Sequence, residues 1–319
     1  MTTALGFRAF GKLPSRGDFL HIGASSAALA AFDDWLTQGV EWAHARAGAA
    51  FREAFTGSSI RAFVYVARSD PGPASLIIGA LAPSRDEAGR QFPISVASSV
   101  ALGTDFASEP QLLPIACEDI WQEASQCLAE LLAGASEPSA RLAALHPHPA
   151  LDFADAQYNY SAWSEALPLA ELWTLISASH SFDWLHDTLR WIAETVRPHR
   201  HQEAPNTRLA IRLPLGAAGG AAVCFWLDVV RRLSAWRSTV PSFFWSHDGV
   251  SDQLTVHMGL PAAASIAELW LPTRSRDEFC DLTVPLGGAA LEHVSPLPAQ
   301  VVHALSAPSS VAAFLATLS

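Results

Sequence analysis

Apolar positions along the chain change period several times, and each change marks an element. Leu5 to Phe10 is a short apolar run carrying one charge, Arg8, and reads as a strand that ends at Gly11-Lys12-Leu13-Pro14. From Ala27 to Phe55 the apolar residues Leu29, Phe32, Trp35, Leu36 and Val40 recur at helical spacing, which predicts one long helix or two with a break near Gly39. Ile60 to Ala67 and Ser75 to Ala82 are near-continuous apolar runs on either side of Ser69-Asp70-Pro71-Gly72-Pro73, the composition of an antiparallel hairpin. A third strand is expected from Phe92 to Val100 and a helix from Ile115 to Leu132. Further on, Phe182, Leu185, Leu189, Ile192 and Val196 stripe a helix expected over Leu172 to Val196. Thr207 to Leu213 reads as a strand and Val223 to Trp236 as an amphipathic helix. Ser242 to Trp245 and Leu254 to Met258 read as short strands around a His247-Asp248-Gly249 turn. The uncharged end, Val311 to Leu318, fits either a docking helix or a loose tail.

Strands joined by short turns, with helices gathered outside them, predict an α/β fold of the α+β kind. The expectation is an antiparallel or mixed sheet flanked by helices in αβα layers, followed by a second mixed α/β region. Pro138, Pro147 and Pro149 place the boundary: an N-terminal α/β domain over 1–137, a Pro- and His-rich linker over 138–150, and a C-terminal mixed α/β domain over 151–319.

Composition narrows the class of partner. Half of the 319 residues are hydrophobic and the formal net charge is -11, so the chain has ample core material and no basic footprint for nucleic acid or an anionic membrane. Arg8 and Lys12 precede any apolar run long enough for a secretory signal, and Pro296, Pro298 and Pro308 break the longest uncharged stretch, so no membrane insertion is expected. The four cysteines, Cys117, Cys127, Cys224 and Cys280, have no C-x-x-C spacing and read as buried thiols of a reducing compartment, the cytoplasm.

Several motifs fail on their chemistry. Gly6 to Lys12 spells the start of a phosphate-binding loop, but Leu13 stands where magnesium needs a hydroxyl, Pro14 has no N–H, and Phe7 and Phe10 are too bulky for a backbone cradle. Arg16-Gly17-Asp18 matches an adhesion tripeptide without any other mark of an extracellular protein. His146 with His148, and His199 with His201, could meet as a metal site, yet both pairs sit among prolines without a carboxylate pattern and read as exposed loop, so no metal or other cofactor is expected. No G-x-S-x-G elbow is present. Of the eleven tryptophans, Trp173, Trp184, Trp191, Trp226 and Trp236 fall within expected helices as core residues.

Two loops are left over by core packing: Gly11, Lys12, Leu13, Pro14, Ser15, Arg16, Gly17, Asp18 and Phe19, and the stretch from Pro83 to Pro93 with Ser84, Asp86, Gly89, Arg90 and Phe92. Both set Arg and Asp beside Gly and Pro at strand ends, and Lys12 is the single lysine of the chain. The plain alternative is that Asp18 and Asp86 cap turns while Arg16 and Arg90 tie the loops together through carboxylates, for example in a buried Asp18–Arg90 pair.

The pair GKLPSRGDF and PSRDEAGRQFP, in this order and with an aromatic-rich hairpin between them, resembles the TagF family of type VI secretion. The likeness is sharpest from Gly6 to Val100. It is looser at Arg212-Leu213-Pro214, Phe225-Trp226-Leu227, Pro241 to Trp245 and Gly259-Leu260-Pro261. The resemblance implies a cytoplasmic accessory protein that restrains type VI secretion after translation by engaging the forkhead-associated scaffold protein, apart from the threonine-phosphorylation switch. It brings no catalytic residues, and the chain is expected to be the form not fused to a PP2C-type phosphatase. On this reading the loops lie together and form a partner-binding or fold-locking surface with Lys12, Arg16, Asp18, Asp86 and Arg90 as its charged members. The competing readings are a metal-dependent or hydrolytic enzyme using the histidine tracts and a passive structural subunit of the secretion machine.

Overall fold

The near-continuous apolar runs of Arg61–Ala67 (β3) and Ser75–Ala82 (β4) are explained by burial on both faces of one sheet. Along β3, Ala62, Val64 and Val66 face one hydrophobic layer while Phe63 and Tyr65 face the other; along β4, Leu76, Ile78 and Ala80 oppose Ile77 and Leu81 in the same way. The computed structural model describes residues 6–67, 74–135, 137–146, 151–177, 182–202, 205–246, 252–271, 278–285 and 291–318. The other strands are Arg8–Gly11 (β1), Leu20–Gly23 (β2), Ile94–Ala101 (β5), Ala210–Pro214 (β6), Ser242–Ser246 (β7), Gln253–His257 (β8) and Phe279–Asp281 (β9). They form a nine-stranded sheet in the order β2-β1-β5-β4-β3-β7-β8-β6-β9. Its neighbours run antiparallel except β6 and β9, which are parallel. The fold is thus a mixed α/β arrangement of the α+β kind, with helices on both faces of the sheet.

One face carries the helix Ala27–Thr56 and the short helix Ile266–Trp270. Phe32 stacks on Phe63 with ring centroids 4.8 Å apart, and Trp35 on Phe244 at 5.4 Å, so this layer is largely aromatic. The other face is broader and is covered by the helices Glu118–Leu132, Phe153–Ala166, Leu169–Ile176, Phe182–Val196 and Gly219–Ser234. Trp173, Trp184, Trp226 and Trp236 are buried there and Trp191 is partly buried. The C-terminal helix Val311–Ala316, capped by the Ser310 hydroxyl, buries Val311, Phe314 and Leu315 in the same layer, so the uncharged end docks on the body of its own chain.

Several expected elements are adjusted. The long helix breaks at Gly48, where φ is 51°, and not near Gly39, which packs against Ile266. The helix expected from Ile115 divides at Cys117 into Leu113–Ala116 and Glu118–Leu132. The helix expected over Leu172 to Val196 is two helices, because Ser177 leaves helical geometry at φ −146°. The stretch read as a linker opens with a helix, Pro138–Ala143, whose N-terminus is capped by the Glu137 carboxylate. The strands of the two expected regions are hydrogen-bonded into the one sheet, Phe63 pairing with Phe244 across β3 and β7. The turns expected at 69–73 and 247–249 lie outside the described residues.

Candidate functional site

Sheet register brings the two leftover loops together. Gly11, the last residue of β1, pairs with Ile94 at the start of β5, and Ile94 also pairs with Ala82 at the end of β4. The first loop therefore leaves beside the point where the second one closes. Gly11 has φ 136°, and a Cβ there would lie 2.0 Å from the Pro93 carbonyl oxygen, so only glycine allows the strand ends this close. In the first loop the Arg16 N–H donates to the Leu13 carbonyl at 3.0 Å. In the second, Arg85 and Gln91 form a bridge, the Asp86 N–H donates to the Arg90 carbonyl at 3.1 Å, and Gly89, at φ 81°, donates back to the Asp86 carbonyl at 2.9 Å.

Asp86 holds the two loops to each other. Its Oδ2 accepts from Lys12 Nζ at 2.8 Å and from Arg90 Nε at 2.7 Å, and its Oδ1 accepts from the Arg90 backbone N–H at 2.8 Å. The hydrogen bond from Lys12, followed by those from Arg90, holds the Asp86 carboxyl well below the usual carboxylate range, although burial opposes the shift. The second guanidinium arm of Arg90 donates to the Gly17 carbonyl at 2.8 Å, the Ser84 hydroxyl to the Lys12 carbonyl at 2.6 Å, and the Glu87 N–H to the Arg16 carbonyl at 3.0 Å. Lys12 Nζ also lies 5.0 Å from the Phe19 ring centroid, and Phe19 meets Phe92 edge to face at 4.8 Å. Each polar group of the inner cluster thus has a partner fixed by backbone on the opposite loop.

The charged candidates divide into two sets. Lys12, Ser84 and Asp86 are buried and face each other, with Phe92 and Pro93 buried beside them. Pro14, Ser15, Arg16, Gly17, Asp18 and Phe19 are exposed, Phe19 at 43%, and Gly89 and Arg90 join them on the second loop. The buried carboxylate partner of Arg90 is Asp86, not Asp18, which stays on the surface, because the four-residue turn of the second loop aims Asp86 and Arg90 at one another. Glu137, at the head of the Pro138–Ala143 helix, was not a candidate from sequence, yet its carboxylate lies 3.1 Å from Arg16 Nη2. Only the adjacent Pro138, a helix-start signal, marks it in the sequence.

The histidine tracts do not join this cluster. His146 lies 3.6 Å from Glu123, the His201 N–H donates to the Ser234 carbonyl, and His148 lies outside the described residues. Among the described residues no group of three or more His, Cys, Asp or Glu is placed to hold a metal ion. The four cysteines are buried. Burial pushes the Cys127 thiol up to about 11 and those of Cys117 and Cys224 higher still, which keeps them as unreactive thiols. Among the described residues no helix is long and apolar enough to cross a membrane.

Comparison with known proteins places this arrangement. No curated protein matches the chain. Among solved structures it is similar to the crystal structure of PA0076 from Pseudomonas aeruginosa PAO1, at 18% identity and a TM-score of 0.50, over 92% of this chain and 100% of that one, a likeness of fold. The model of the TagF N-terminal domain, type VI secretion system-associated, matches residues 8–147, a span that contains both loops, Asp86 and Glu137. Residues 8–147 thus match the TagF N-terminal domain, a type VI secretion system-associated domain.

Proposed function

We infer that the protein is a non-enzymatic, post-translational repressor of a bacterial type VI secretion system, acting in the cytoplasm by binding the forkhead-associated scaffold protein. The observation that carries this reading is the TagF N-terminal domain over residues 8–147. The site supports it in a second way. The inner cluster of Lys12, Asp86 and Arg90 spends its charges on holding the loops, while Arg16, Asp18 and the half-exposed Phe19 stand on the rim as a preorganised contact face. An aromatic ring flanked by opposite charges on a rigid backbone is suited to protein recognition. The buried thiols and the paired Lys12 leave this surface without an activated nucleophile, which favours binding over catalysis.

Secretion of the tube protein in a deletion strain and in an overproducing strain tests the reading. A repressor predicts that deletion raises secretion and overproduction lowers it. Loss of secretion on deletion would instead identify a structural subunit. Stoichiometric zinc or manganese in the purified protein would favour the metal-dependent enzyme.

A further inference from the structure

Arg8 and Phe10 sit two residues apart on β1, on the sheet face that meets the helix Ala27–Thr56, and His21 of β2 pairs directly with Phe10. Phe19, at the end of the first loop, reaches the same place. Its ring centroid lies 5.9 Å from that of Phe10 and 6.3 Å from that of His21, and the Phe10 and His21 rings meet at 4.8 Å. Beside these rings the helix presents Ala30, Asp33, Asp34 and Thr37, residues of one helical face by their spacing. Together they line an open cavity of about 380 Å³.

The charges in this notch do not balance. Asp33 is 7% exposed and its Oδ2 accepts from Arg8 Nη2, while Arg8 Nη1 turns away to the Ala24 carbonyl at 3.4 Å. Among the described residues no donor reaches the other oxygen of Asp33, although the side chain keeps 10% of its surface. Asp34 is exposed and has no hydrogen bond or ion pair among the described residues. Burial, to which the Asp34 charge adds, pushes the Asp33 carboxyl up to about 6 in spite of Arg8. Asp86, which takes two cations, is shifted the other way. His21 supplies no second cation, because burial and the nearby Arg8 lower its pKa and leave the ring neutral at pH 7. One guanidinium therefore stands against two carboxylates.

We propose that this notch receives an arginine side chain of a partner protein, its guanidinium at Asp33 and Asp34 and its stem against Phe19. The proposal rests on the function inferred above for the identity of the partner, not for the chemistry of the notch. The surplus carboxylate and the open oxygen of Asp33 call for a cation with several N–H donors. An aromatic wall, with Phe19 43% exposed, favours a planar guanidinium over a compact ammonium. A metal ion is a poor fit, since among the described residues no group of three or more His, Cys, Asp or Glu is placed to hold one. The volume suits one long side chain, the kind of anchor that dominates protein interfaces.

The test is titration of the full chain with N-acetylarginine methylamide and with its citrulline counterpart, which has nearly the same shape and no charge. The arginine compound should bind ~tenfold or more tightly. Asp34→Asn, at an exposed position, should melt as the wild type does and bind the arginine compound ~threefold or more weakly, and Phe19→Ala should weaken it as well. Titration of the forkhead-associated scaffold protein with the same variants tests the source of the arginine, and Asp34→Asn should weaken that complex too. No binding of the arginine compound, equal binding of the citrulline compound, or undiminished binding in both variants would overturn the proposal. So would a scaffold protein that binds the wild type and both folded variants equally. A scaffold protein that does not bind the wild type at all would instead remove the function inferred above, and the arginine titration alone then decides the notch.

Discussion

Asp86 and Asp228 are both buried carboxylates that take two basic side chains, and they serve different ends. At Asp86 the lysine comes from a loop 74 residues away, so the ion pair closes a long stretch of chain. At Asp228 both arginines come from its own helix, at i+3 and i+4, and Tyr160 reaches in from another element. The first cluster is complete in itself and ties two loops. The second ties little beyond one helix turn and Tyr160, and it lines a cavity. The two clusters have the same number of charges, and what separates them is how much chain each one closes.

The largest effect expected on the first cluster comes from backbone. Gly11→Ala places Cβ 2.0 Å from the Pro93 carbonyl, so the strand ends must part. It should destabilise the protein by more than about 3 kcal/mol in urea unfolding. Asp86→Asn comes next. It leaves Lys12 buried opposite a neutral amide and should lower the melting temperature by on the order of 5 °C or more near pH 7. Because the Asp86 carboxyl is depressed in the fold, its stabilisation is fully present above the ordinary carboxylate range and is lost as pH falls through the folded value. The deficit of Asp86→Asn should therefore shrink below about pH 4, and a deficit that is the same at pH 3 and pH 7 would argue against the lock.

Asp228→Asn should be milder than Asp86→Asn, since its arginines lie on the same helix and can turn to solvent. A melting loss as large as that of Asp86→Asn would break the contrast between the two clusters. Smallest of all is Arg16→Ala. It removes an exposed pair with Glu137 and should change stability by less than about 1 kcal/mol, so any loss of partner binding in that protein is a contact effect.

Much of the fold was legible in the sequence where burial repeats locally. β3 and β4 are visible as apolar runs because both their faces are covered, and the helix Ala27–Thr56 because its stripe of Leu29, Phe32 and Leu36 is regular. Non-local pairing leaves no such mark. Nothing around Phe63 or Phe244 announces that β3 and β7 meet, and β2 and β9 are too short to give a period. The two loops could be found from their Gly, Pro and charge content, but the choice of Asp86 over Asp18 as the carboxylate facing Arg90 depends on the turn that aims it. Arg8, His21 and Asp33 read as ordinary polar positions of strands and a helix, and only their convergence with Phe19 on one cavity sets them apart.

On the function proposed above, the two-loop unit spends Lys12 and Asp86 on its own structure and would offer Arg16 and Asp18 to the forkhead-associated scaffold protein. Calorimetric titration of that scaffold protein with the wild type and with an Arg16→Ala/Asp18→Ala double variant, with melting measured on both, tests it most directly. The melting temperature should be unchanged and binding weakened ~tenfold or more. Undiminished binding by the correctly folded double variant would contradict it.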